Sequence, residues 1–279
     1  EPSYLLTFHE LSELTDVEVN VLNSYTKIFV TSTFSKRVFE DCGVKVPVVY
    51  VPMGFDSLHF KKTNKKYFDD GRITWLISGK CEFKRKRHKQ AIQAWIKKFG
   101  NNRKHFLHLH IHNPFFKEED MNKMYAEIFN NQKPPFNVQI FGYQATSTLL
   151  NECYNVANIV IEMSTGEGVS VPSLTCVALG KHAIVCDCSG ISDWAKFTDI
   201  VKIKPNGKEP AEDNIFFFRN SPFNSGNFYT WNTDDFIQGL DEVVKKFEIN
   251  PINESGLILQ KEYSFEKGVD IMLKEINLN

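Results

Sequence analysis

Short apolar runs alternate with amphipathic stretches along the chain, the pattern of βαβ units that build a parallel sheet. Tyr4 to Phe8 predicts a strand, and residues 11–25 predict a helix with Leu14, Val17, Val21 and Leu22 on one side. Lys27 to Thr31 is the next strand, and a short helix follows near residues 35–42. Val48 to Val51 is a third strand, closed by Pro52-Met53-Gly54. Residues 56–71 are polar and lysine-rich, which suits a linker.

A second, longer series begins at Ile73. Strands are predicted at 73–77, 105–112, 137–141, 157–162 and 183–186, with helices between them at 89–99, 118–129, 147–155 and 172–179. Thr233 is placed as the N-cap of a helix carrying Phe236, Leu240, Val243 and Phe247. Ser264 opens a last helix with Val269, Leu273 and Ile276. Residues 214–231, with Phe216-Phe217-Phe218, read as an irregular aromatic segment packing over a cleft. The second series makes a complete doubly wound domain, whereas the first makes only part of one.

Composition sets bounds without choosing a function. The 279 residues are 42% hydrophobic and 24% charged, enough for one large or two modest cores. Lys and Arg number 33 against 34 Asp and Glu, so no net field draws in nucleic acid or an anionic membrane. No apolar run approaches the roughly 20 residues of a spanning helix, and no secretory signal is recognised. Six cysteines without paired metal spacing, several inside apolar runs, lead us to expect a reducing, cytoplasmic setting. Heavy use of lysine, asparagine and phenylalanine suggests an AT-rich genome, such as a viral one.

In an open parallel sheet, ligands bind beyond the carboxyl ends of strands, where helix N-termini offer unpaired N–H groups to anions. One strand-to-helix junction stands out by this rule, Ser164-Thr165-Gly166-Glu167-Gly168-Val169-Ser170-Val171-Pro172. Gly166 and Gly168 allow a close backbone approach, and Pro172 suits a first helical turn. The amides of Gly168, Val169 and Ser170 are candidates to hold a diphosphate or sugar hydroxyls, with Glu167 beside them. A plain glycine-containing βα turn has the same local chemistry.

Other features stay open at this level. Lys80 to Lys89 is a basic run that reads as a solvated loop, a phosphate site, or a nucleic-acid contact built on residues 84–89. His108, His110 and His112 alternate, which puts three imidazoles on one strand face, either as a metal site or packed under neighbouring elements. Cys186-Asp187-Cys188 reads as structural thiols in preference to a redox pair. His9-Glu10 follows the first strand, where an active-site residue of an N-terminal domain would project.

Taken together, the 164–172 junction and the run Ala178-Leu179-Gly180-Lys181-His182-Ala183-Ile184-Val185-Cys186-Asp187-Cys188-Ser189-Gly190 resemble the donor-site signature of glycosyltransferase family four. Ser78-Gly79-Lys80 with Lys86 is similar to the glycine, basic residue and lysine that hold the donor diphosphate there. Phe141-Gly142-Tyr143 resembles the loop that packs on the nucleotide base. Residues 28–56 resemble the end of the N-terminal domain and its crossover.

The resemblance implies an α/β GT-B fold: two Rossmann-like domains with parallel sheets, the N-terminal one abbreviated. It divides the chain into a partial acceptor-side domain over 1–57, a linker over 58–71, a donor domain over 72–260, and a helix over 261–279 packing back to the N-terminal side. It implies a retaining transferase using a UDP- or GDP-sugar, with Lys80 and Lys86 neutralising the diphosphate and Glu167 orienting the sugar. His9 would act from the N-terminal domain, while Gly79, Tyr143, Gly166, Gly168, Val169, Ser170 and Thr175 would bind the donor. No cofactor or metal is expected, since no Asp-x-Asp motif occurs. The acceptor is left open among glycans, proteins and modified nucleic acid.

Three departures accompany it. The second glutamate of the family falls at Thr175, eight positions after Glu167. Val169 and Ser170 replace Phe and Gly, and His182 replaces a usual proline. The family's glycine-rich first turn has no counterpart before Thr7, so either the N-terminal domain begins partway through or the acceptor domain is reduced. The alternatives to an active enzyme are a weak GT-B module serving binding or assembly, and a nucleic-acid protein using the basic run.

Overall fold

The structure, a computed structural model, describes residues 1–276, so the last positions of the 261–279 segment lie outside the described residues. Two parallel sheets organise the chain. The first contains β1 (Tyr4–Thr7), β2 (Lys27–Val30) and β3 (Val48–Tyr50) in the order β1-β2-β3. Helices α1 (Asp16–Leu22) and α2 (Thr33–Asp41) connect them.

The second sheet has six strands, β4 (Ile73–Gly79), β5 (His105–Ile111), β6 (Val138–Ile140), β7 (Ile159–Glu162), β8 (His182–Cys186) and β9 (Val201–Ile203). Their order is β6-β5-β4-β7-β8-β9, and every pair is parallel. The order reverses at β4, so the crevice of this sheet lies beyond the carboxyl ends of β4 and β7. α3 (His88–Phe99), α4 (Glu118–Ile128), α5 (Ser147–Val156), α6 (Val171–Ala178), α7 (Ile191–Ala195) and α8 (Thr233–Ile249) complete this domain.

Covering both faces of the sheet makes its strands nearly all apolar. Trp75 on β4 is fully buried and meets Trp95 and Phe99 of α3 at ring distances of 6.3 and 5.4 Å. Its indole N–H donates to His105 Nδ1 at 3.1 Å, which removes the cost of burying that donor. Each such large side chain contributes roughly 2–3 kcal/mol through burial.

Several elements differ from the sequence reading. The helix expected over 11–25 begins only at Asp16, because Thr15 and Glu18 form a capping box. Residues before it run extended and bury Leu11 against Ala211, Phe217 and Phe228. The cap of α8 is Asn232 and not Thr233, since Asn232 Oδ1 accepts from the amides of Asp234 and Asp235 at 2.7 and 3.3 Å. The segment read as irregular contains β11 (Asn227–Thr230), antiparallel to β10 (Gly207–Pro210). Four-residue strands flanked by aromatic turns leave too little periodicity to be seen.

Several contacts join the domains, three of them through the last helix, Leu11 and Asp193. A 3-10 turn (Glu254–Ile258) and α9 (Leu259–Glu262) lead to α10 (Phe265–Glu275), which lies on the N-terminal sheet. There Ile271, Met272 and Ile276 pack against Phe29, Val51 and Met53. Leu11 forms the second contact. Asp193 of α7 forms the third, accepting from both the amide and the hydroxyl of Thr33 at the start of α2. Replacing Asp193 by Ala removes two hydrogen bonds from the exposed Thr33 to a buried, charged acceptor. It is expected to lower stability by about 2 kcal/mol, read as a fall in denaturation midpoint, with Asp193→Asn recovering part of the loss.

Candidate functional site

The junction between β7 and α6 is built on buried charge. Glu162 ends the apolar run of β7, and its carboxylate accepts from Ser164 N at 3.1 Å and from Ser170 Oγ at 2.5 Å. This tether holds Ser170 in the left-handed region at φ 57°, where the resembled signature has glycine. Glu167 N donates to Ser189 Oγ at 2.9 Å, and Gly190 N donates to Glu167 O at 2.8 Å, so the turn is stitched to the end of β8.

The loop after β4 closes on this turn. Lys86 Nζ lies 2.7 Å from Glu167 Oε1, and Arg85 Nη1 lies 2.8 Å from the same oxygen. Arg85 also donates to Gly166 O at 3.0 Å and grips Glu82 through Nε and Nη2 at 3.0 and 3.1 Å. From the N-terminal domain, Glu10 Oε1 reaches Arg85 Nη1 at 2.9 Å. Lys80 Nζ stands 3.2 Å from Glu82 and 4.2 Å above the Phe216 ring. Arg85, Lys86, Glu82 and Glu167 are all buried.

Burial opposes charge on each of these groups, and the partners decide the outcome. Glu167 stays below the ordinary carboxylate range because Lys86 and then Arg85 outweigh its desolvation. Lys86 is held above its usual value, against desolvation, by Glu167 and then Glu162. Glu10 moves the other way: burial raises it, and Arg85 only partly offsets that.

Beside the junction a cavity of about 300 Å³ opens at the carboxyl ends of β4, β5 and β6, lined by Gly79, Lys80, His110, His112, Tyr143 and Pro172 among others. Lys86 joins the two regions. A Cβ built on Gly79 would sit 3.6 Å from Lys86 Nζ and 3.8 Å from its Cε. A larger hollow of about 690 Å³, lined by Lys97, Asn130, Pro135 and others, lies near the amino-terminal ends of β5 and β6, the wrong rim for a ligand site in such a sheet.

The residues singled out in the sequence therefore fall into three groups. Glu167, Lys86, Gly166, Gly168 and Ser170 meet at the junction, while Gly79, Lys80 and Tyr143 line the cavity. Val169 and Thr175 point into the core, and Thr175 Oγ1 is buried without a partner. His9 packs edge-on to Phe39 at 5.3 Å, and burial lowers its pKa, so its neighbour Glu10 is the residue that reaches the charges. The space over the two glycines is filled by protein. A Cβ on Gly166 would lie 2.5 Å from Glu10 O, and one on Gly168 would lie 2.9 Å from Phe8.

Two further readings are corrected. The basic run is not an open patch: Arg85 and Lys86 are buried in ion pairs, Arg87 bonds Glu209 at 2.8 Å, and within 84–89 only Lys84 is exposed. The strand histidines pack on aromatic rings, His110 stacking on Phe141 at 4.5 Å, and no metal-binding group of side chains occurs among the described residues. Sequence reasoning passed over Glu82 and Glu162, and it named Glu10 and Arg85 only as parts of the His9-Glu10 pair and the basic run. A glutamate closing the run Ile159-Val160-Ile161 was a visible signal, whereas Arg85 was hidden among equally basic neighbours.

No protein-family profile and no curated protein matches the sequence. Solved structures do resemble it. Sucrose-phosphate synthase from Thermosynechococcus elongatus superposes with a TM-score of 0.65 at 13% identity, over 94% of this chain and 60% of that one. Anabaena HepE, solved with UDP and glucose, gives 0.69 at 11% identity over 94% and 66%. A glycosyltransferase from Rickettsia africae gives 0.69 at 15% over 97% and 69%. The chain thus spans 60% and 66% of the first two proteins. At such identities the likeness is one of architecture: the chain has the GT-B fold, two Rossmann-like domains with parallel sheets.

Proposed function

We propose that this chain transfers a sugar from a nucleotide-sugar donor to an acceptor, with retention and without a metal. The observation that carries the reading is the contact of Lys86 with Glu167, with Lys86 Nζ 3.6 Å from a Cβ built on Gly79, a residue that lines the cavity together with Tyr143. The nucleotide base lies against Tyr143, and the diphosphate turns past Gly79 onto Lys86. Glu167, ionised and fixed by two cations, accepts hydrogen bonds from sugar hydroxyls. Charge building on the leaving diphosphate is stabilised by cations already in place, which costs no reorganisation during the reaction. HepE binds UDP, which makes UDP the first donor nucleotide to test. The acceptor approaches from the side of Phe8 and Glu10.

Calorimetric titration with UDP and GDP tests the reading directly. Saturable binding of one of them is expected, and binding of neither overturns it. Lys86→Ala is expected to weaken that binding by tenfold or more, about 1.4 kcal/mol or above, at an unchanged fold by circular dichroism. Glu167→Gln is expected to retain nucleotide binding yet lower donor turnover about a hundredfold, read as release of UDP from UDP-glucose. Nucleotide binding without any turnover would instead identify a binding or assembly module.

A further inference from the structure

The junction holds more carboxylates than cations before any ligand arrives. Lys80, Arg85 and Lys86 face Glu10, Glu82 and Glu167, and Glu162 stands close by as a further acid. A diphosphate entering this region meets no surplus positive charge. One of the acids must therefore give way, and the geometry distinguishes them.

Glu82 is bound through both oxygens by Arg85, and Glu167 is shared between Arg85 and Lys86. Both are buried and enclosed by their own domain. Glu10 differs on each count. It comes from the other domain, and its side chain is 34% exposed. Its only ion pair is with Arg85 Nη1, a nitrogen with two hydrogens. Those hydrogens go to Gly166 O and Glu167, so Glu10 is held by charge without a hydrogen bond of its own. Burial also works against its ionised form, with Glu167 and Glu82 adding to that and Arg85 and Lys86 opposing it. Release to water removes a penalty as well as an attraction.

We propose that Glu10 occupies the anion position of the donor and sets donor affinity by competing with the diphosphate for the positive charge of Lys86 and Arg85. The proposal rests on the nucleotide-sugar reading above.

Calorimetry with UDP on the whole chain tests it, comparing the unmodified protein with E10Q, E10D and E13Q. Glu13 is an exposed acid of the same segment that bonds Asn227 and not the junction, so it controls for net charge. E10Q is expected to bind UDP about tenfold more tightly, E10D to fall between, and E13Q to match the unmodified protein. Equal or weaker binding by E10Q overturns the proposal, as does equal tightening by E10Q and E13Q. If E10Q melts far below the unmodified protein, E10D decides, and unchanged affinity there overturns it. Binding by the unmodified protein without a gain in E10Q removes this inference alone. Absence of binding in every variant removes the functional reading with it.

Discussion

One guanidinium organises the centre of this protein. Arg85 is buried, and a buried cation is tolerable only where carboxylates and carbonyls surround it. It meets that need with Glu82 on its own loop, Gly166 O and Glu167 on the next, and Glu10 from the other domain. Three segments far apart in sequence are thereby fixed to one point. Without it, Glu82 and Glu167 would keep only Lys80 and Lys86 as partners, and Glu10 would keep no ion pair at the centre. The network is less a source of stability than a device that sets where each loop must lie.

The fold explains why this charge gathers here. Both loops leave the carboxyl ends of adjacent strands, β4 and β7, which pair in parallel at Trp75–Ile159 and Leu76–Val160. Below that rim the strands are closed in by aromatic and aliphatic side chains, and no unpaired charge could be accommodated cheaply. Above it, helices start and the loops carry the charged groups. The apolar core thus confines the ion pairs of the centre to a single edge.

Much of this architecture was legible in the sequence because both sheets are parallel and covered, and such strands announce themselves as apolar runs. Ile73 to Ile77 and Ile159 to Ile161 could hardly be anything else. The 164–172 junction was equally plain, since glycines and a proline mark where a strand turns into a helix. What remained hidden depends on distance in space. Nothing local distinguishes Arg85, which is buried, from Lys84, which is exposed. Nor does the sequence say that Glu10, nearly eighty positions from Arg85, reaches the same atom as Glu167. The glycines show the same limit. Their lack of a side chain was assigned to a ligand, and the structure fills that room with Phe8 and the backbone of Glu10.

The chain passes between the domains twice, and the two crossings are laid side by side. Phe55 N donates to Tyr263 O at 2.9 Å, Phe265 N donates to Phe55 O at 3.2 Å, and Phe55 pairs with Ser264 as a parallel bridge. Two connections bonded along one seam constrain each other, so neither crossing can shift without breaking the hydrogen bonds that tie it to its companion.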